Sequence, residues 1–61
     1  MKLWIARAEN GVLALHESEP YCRYGKWHNG NQEWILDPSF FPEVTFENSP
    51  QEVELKLVEK L

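Results

Sequence analysis

Three side chains in this chain could serve as soft metal ligands or as parts of a nucleophilic site: Cys22, His16 and His28. Structural zinc takes four such ligands, usually in closely spaced pairs, and the sequence has no C-x-x-C type of signal. The three read as one core thiol and two surface imidazoles, without a metal. A Cys22/His28 nucleophilic pair needs a thiol of lowered pKa and a third group to orient the imidazole. Nothing nearby marks a helix N-terminus or a set of oxyanion donors. Nine glutamates and one aspartate invite a paired-carboxylate reading. However, Glu52 and Glu54 fall with the oppositely charged Lys56 on one face of an alternating segment, away from Val53 and Leu55. That is the pattern of a solvated face. Gly11, Gly25 and Gly30 are isolated turn residues, so no phosphate-binding loop is present. The chain reads as a non-enzymatic protein with no catalytic residues, metal or cofactor.

One cluster keeps a functional reading: Tyr21, Tyr24, Trp27 and Trp34. Aromatics on a sheet face stack sugars or bases, or anchor a protein interface. In so short a chain they are also the natural core. Trp27 sits beside a turn among polar neighbours and is the one expected at the surface, with Tyr24 close by; Trp34 is expected in the core. The candidate binding residues are Trp27, Tyr24 and Trp34. The leading expectation is a binding or adaptor module that pairs a protein partner's strand, or a second copy, with an open sheet edge. The alternative, from a different class, is a carbohydrate-binding module that stacks sugars on Trp27 and Trp34.

Bulk properties narrow the choice. Sixty-one residues make a single small domain, 1–61, and such a chain buries only about 60% of its unfolded surface. Each of its eight aromatics therefore matters, since one can bury roughly 150–250 Å². The single cysteine rules out an internal disulfide. The first residues lack the apolar run of a signal peptide, and no segment is long enough to span a membrane. The expectation is a cytoplasmic protein, with homodimerisation as one way to enlarge a small core. Net charge is −4 and uneven: residues 1–30 carry four cations and three anions, residues 31–61 two cations and seven anions. Lys2, Arg7, Arg23 and Lys26 are scattered, and the acidic half repels phosphate, so nucleic acid is not an expected partner.

The elements that position these residues read as strands. Lys2 to Ala8 alternates, Glu9-Asn10-Gly11 is a turn, and Val12 to His16 returns as the second strand of a hairpin. Pro20 belongs to a connection or an edge. Asn29-Gly30 is the expected turn of a second hairpin over Gly25–Asp37, with Gly25 marking a bulge or a close backbone approach and Trp34 lying over it. Asp37 caps a short helical turn near residues 38–41, with Pro38 at its first position. Phe40 and Phe41 are expected to plug one end of the sheet. Residues 43–47 read as a short extended piece. Ser49-Pro50-Gln51-Glu52 fits a helix capping box, but strict alternation through Leu57 favours a strand over residues 52–60, pairing with residues 2–8. The predicted fold is mainly β: a small antiparallel meander of two hairpins plus a C-terminal strand.

Several of these pieces stand together: Lys2-Leu3-Trp4-Ile5-Ala6-Arg7, Gly11 with Leu13 and Leu15, then Pro20, Trp27 and Leu36-Asp37. They continue with Phe41-Pro42-Glu43-Val44-Thr45-Phe46-Glu47-Asn48-Ser49-Pro50 and Glu52-Val53-Glu54-Leu55. The combination resembles a group of short uncharacterised proteins from gut anaerobic bacteria and their mobile elements, over nearly the whole chain. The resemblance implies a bacterial, cytoplasmic, stand-alone protein. It brings no activity and no residue role with it.

Overall fold

The computed structural model describes residues 1–56, which form six short strands and no helix. These are β1 (Lys2–Arg7), β2 (Leu13–His16), β3 (Tyr21–Arg23), β4 (Lys26–His28), β5 (Glu33–Leu36) and β6 (Gln51–Glu54). The protein is mainly β and antiparallel throughout. Four strands form one sheet in the order β5-β2-β1-β6, and β3 and β4 form a separate two-stranded ribbon.

The first hairpin forms as the sequence predicts. Gly11 N–H donates to the Ala8 carbonyl, Ala8 N–H donates to the Val12 carbonyl, and Asn10 Oδ1 accepts from Val12 N–H. Gly11 has φ +95°, a conformation that glycine adopts at no steric cost. The C-terminal strand also pairs with β1 as expected, with Leu3 opposite Val53 and Ile5 opposite Gln51. It ends at Glu54; the remainder of the predicted strand, from residue 57 on, lies outside the described residues. Near residues 38–41 the chain makes a single turn. Phe40 N–H donates to the Asp37 carbonyl, and Asp37 Oδ1 accepts from both the N–H and the hydroxyl of Ser39.

The second hairpin differs from expectation. The ribbon turns at Tyr24-Gly25, with Arg23 opposite Lys26, and both turn residues have positive φ (54° and 73°). That is the two-residue loop whose twist suits a hairpin. Gly25 is thus a turn residue and not a bulge, but the close approach is present: Glu9 N–H donates to the Gly25 carbonyl, and a Cβ on Gly25 would lie 3.1 Å from the Cβ of Glu9. Asn29-Gly30 makes no hairpin: residues 26–28 before it pair with β3, and the Asn29 side chain bonds Asn31 N–H and the His16 ring. Residues 33–36 pair with β2 instead, which sets Trp34 beside Leu15 and not over Gly25. This choice brings Trp34 and Leu36 onto the same face as Leu13 and Leu15, where apolar neighbours are available. The sheet is therefore not a meander. Residues 43–47 form no strand; Val44 drops into the core from a turn. Phe40 and Phe41 are both half-exposed and do not close the sheet end.

Strand alternation gives the sheet two faces. The first carries Leu3, Ile5, Arg7, Leu13, Leu15, Trp34, Leu36 and Val53, by register. Ile5, Leu13 and Val44 form its buried centre, with Leu15, Leu36 and Val53 packed around them. The second face carries Ala6, Ala14 and His16, all buried. Residues 37–49 cover the first face. Residues 17–32, including the ribbon, bond to the second.

Arg7 joins both covers. Its guanidinium donates to five carbonyls: Val44 (2.6 Å), Gly11, Pro38 and Phe40 (3.0 Å each) and Phe41 (3.2 Å). Its backbone N–H, aimed toward β6 beyond that strand's end, donates to Ser49 Oγ at 2.9 Å. Its backbone carbonyl accepts from the Trp27 indole N–H at 3.0 Å. A planar fork with five donors can gather carbonyls from several turns at once, which no other side chain can do.

Candidate functional site

Antiparallel ladders alternate which residues face the neighbouring strand. Glu17 N–H donates to the Gln32 carbonyl, so the bonded pairs that follow are Leu15–Trp34 and Leu13–Leu36. Glu33 and Ile35 then aim their N–H and C=O groups away from the sheet. Among the described residues nothing pairs with them, and β5 is an open edge. With a strand on only one side, its side chains are poorly covered. Trp34 is 40% exposed on the first face and Ile35 65% exposed on the second. Ile35 lies beside the exposed Val12, and with Leu36 and Pro38 they line a shallow hollow of about 220 Å³. A neighbouring hollow of about 270 Å³ includes Val12, Trp27, His28 and Glu33.

The expected aromatic surface is rearranged accordingly. Trp27 is half-buried: its indole N–H is committed to the Arg7 carbonyl, and its ring packs at 54° against Phe46 with centroids 6.1 Å apart. It supports the fold, whereas Trp34, expected in the core, is the exposed tryptophan. Tyr24 is 90% exposed at the ribbon tip, with the Arg23 guanidinium 5.5 Å from its ring centroid. Tyr21 tilts against His28 with a centroid separation of 5.8 Å. The structure therefore does not bring Trp27, Tyr24 and Trp34 together as one surface. Ile35 and Val12 were missed in the sequence, and they are visible only once the strand order is known.

The polar groups stay separate as well. Tyr21 opposes His28 and Cys22 opposes Trp27, so Cys22 and His28 point to opposite faces of the ribbon. The thiol is free and exposed rather than part of the core. Among the described residues no group of three or more His, Cys, Asp or Glu could hold a metal ion. His16 is buried rather than at the surface. Asn29 Oδ1 already accepts from Asn31 N–H at 2.6 Å, so its NH₂ faces His16 Nδ1, also at 2.6 Å. Nδ1 must be the acceptor, which requires the neutral ring. Burial holds the His16 pKa below its ordinary 6.5; Glu33 opposes that shift and His28 adds to it. The Asp37 carboxyl is held below its ordinary value by the Ser39 hydroxyl and then by Ser39 N–H.

Among the described residues no helix is long and apolar enough to cross a membrane. No protein-family profile, no curated protein and no solved structure matches this chain, so the functional reading rests on its own geometry.

Proposed function

We propose that this protein is a small non-enzymatic binding module that receives a strand from a protein partner along β5. The observation that carries this reading is the open edge at Glu33 and Ile35, flanked by exposed apolar side chains on both faces. Main-chain bonds to such an edge supply affinity, and alternate side chains supply specificity. The charges on this segment, Glu33 and Asp37, are both negative. The fitting partner is a strand with apolar residues beside Trp34 and Ile35 and a lysine or arginine opposite Glu33. The apolar hollow beside Ile35 accepts one of those side chains. A sugar platform built on Trp27 and Trp34 finds less support, since Trp27 is committed to Arg7 and Phe46.

The test is Ile35→Pro. The Ile35 N–H points outward, so proline removes the docking donor while leaving the ladder to β2 intact. Amide spectra of the full chain, titrated with a peptide of alternating valine and lysine, should shift at Glu33–Leu36 in the native chain and stay still in the variant. Shifts that persist in Ile35→Pro, or that never involve β5, would refute the reading.

A further inference from the structure

The opposite edge of the sheet differs in charge, and that difference names its partner. Leu55 N–H donates to the Met1 carbonyl at 2.8 Å, and the Met1 amino group returns a 3.4 Å bond to the Leu55 carbonyl. The alternation of the ladder then turns Leu3–Val53 and Ile5–Gln51 inward and leaves Glu52 and Glu54 with outward N–H and C=O groups. The next outward position is Lys56. β5 offers only carboxylates, whereas this edge carries both signs within three residues.

We propose that the β6 edge pairs with a second copy of itself, antiparallel, about a two-fold axis at Leu55. The two four-stranded sheets then continue as one of eight strands. In this register the hydrogen-bonded pairs are Glu54 with Lys56 of the other copy, formed twice. Leu55 opposes Leu55 in the non-hydrogen-bonded pair between them, where side chains come closest. The neighbouring registers are worse: centring on Glu54 keeps two Glu52–Lys56 pairs but sets Glu54 against its own copy, and centring on Val53 opposes Glu52 with Glu54 twice. Charge complementarity therefore selects both the partner and the register.

The apolar side agrees. Leu55 is 59% exposed and helps line a groove of about 410 Å³ on the first face, together with Leu3, Val53 and Phe41. The two-fold axis is perpendicular to the sheet, so both grooves lie on the same side and meet at the Leu55 pair. Each copy's leucine reaches the mouth of the other's groove. The overlap is short compared with a standard interface of about 1,600 Å². The dimer is accordingly weak, and it populates as protein concentration rises from about 10 µM to 1 mM.

Sedimentation equilibrium on the full chain tests this. The native protein should associate across that range. Lys56→Glu alone sets glutamate against Glu54 and should weaken self-association by about tenfold; Glu54→Lys alone sets lysine against Lys56 in this register, and can self-pair only by shifting to the Val53-centred one, where the new lysine meets Glu52. An equimolar mixture of the two variants should form a heterodimer, because every cross-strand pair then joins opposite charges. That rescue separates lost pairing from lost folding. Ile35→Pro should leave the association unchanged, which keeps this edge distinct from the one proposed for partner proteins. A native chain that stays monomeric to 1 mM, a Lys56→Glu variant that associates as the native chain does, or a mixture that fails to associate would each overturn the proposal.

Discussion

The two covers of the sheet are fastened by different chemistry. Residues 37–49 hold to the first face through the Arg7 guanidinium. Residues 17–32 hold to the second face through neutral donors and acceptors: the Trp27 indole on the Arg7 carbonyl, and Asn29 on the His16 ring. One clamp is multidentate and charge-assisted. The other is a set of single bonds, joined by Glu9 N–H on the Gly25 carbonyl, and one of them depends on protonation state. The first cover brings Val44 into the core. The second seals two alanines and a histidine, beside the half-buried Trp4. The first should therefore dominate stability, and the second should carry what environmental sensitivity the fold has.

Replacing Arg7 tests the stronger clamp and should have the largest effect. Arg7→Met keeps the aliphatic stem but strands five carbonyls. Hydrogen bonds to a charged group contribute about 1.5–3 kcal/mol each when buried, and less where solvent replaces them. A net loss of about 3 kcal/mol is expected, against a total stability of roughly 3–9 kcal/mol for a domain this size. The melting temperature should fall by about 12–24 °C. Arg7→Lys keeps the charge but not the fork, and should recover less than half of that loss. If Arg7→Lys melted like the native chain, the carbonyl clamp would be irrelevant and charge alone would matter.

The second cover answers to a milder change. Trp27→Phe keeps an aromatic ring against Phe46 but removes the indole N–H, which leaves the Arg7 carbonyl without its partner. The expected cost is about 1–2 kcal/mol, a fall of about 4–16 °C in melting temperature. A loss as large as that of Arg7→Met would show that the two covers are one cooperative unit and end the distinction drawn between them.

The sequence carried the local parts of this architecture and not the long-range ones. The first hairpin was legible because alternation and an Asn10-Gly11 turn agree. The β1–β6 pairing was legible because Val53 and Leu55 alternate with charges. Asp37 announced its turn because a short carboxylate before Pro-Ser can reach the following N–H groups. The partner of residues 33–36 was not legible, since a period of two says which residues share a face but not which strand lies alongside. Asn29-Gly30 carried the stronger turn signal, yet Asn29 is used as a side-chain bridge to His16, a residue 13 positions away. Tyr24-Gly25 carries a weak turn signal because tyrosine seldom takes positive φ. Arg7 read as the polar end of an alternating strand; nothing in the sequence tells a solvated arginine from one collecting carbonyls up to 37 positions away. The exposure of Trp34 follows from strand order alone and was hidden for the same reason.

His16 gives the smallest effect and the most selective one. Its folded-state pKa lies below the unfolded value near 6.5, because burial and the Asn29 bond both require the neutral ring. Below 6.5 the unfolded chain therefore binds more protons than the folded one, and stability falls as pH drops from about 7 toward the folded pKa. Above 7 the contribution is complete and flat. Urea midpoints should decline between pH 7 and 5, above the range of the Asp37 carboxyl, whose pKa is held low. Asn29→Ala removes the donor that fixes the ring but leaves it buried, so the decline should shrink without vanishing. His16→Gln, which cannot titrate, should flatten it altogether. A decline that survives in His16→Gln would move the sensitivity away from His16 and leave both covers equally indifferent to pH.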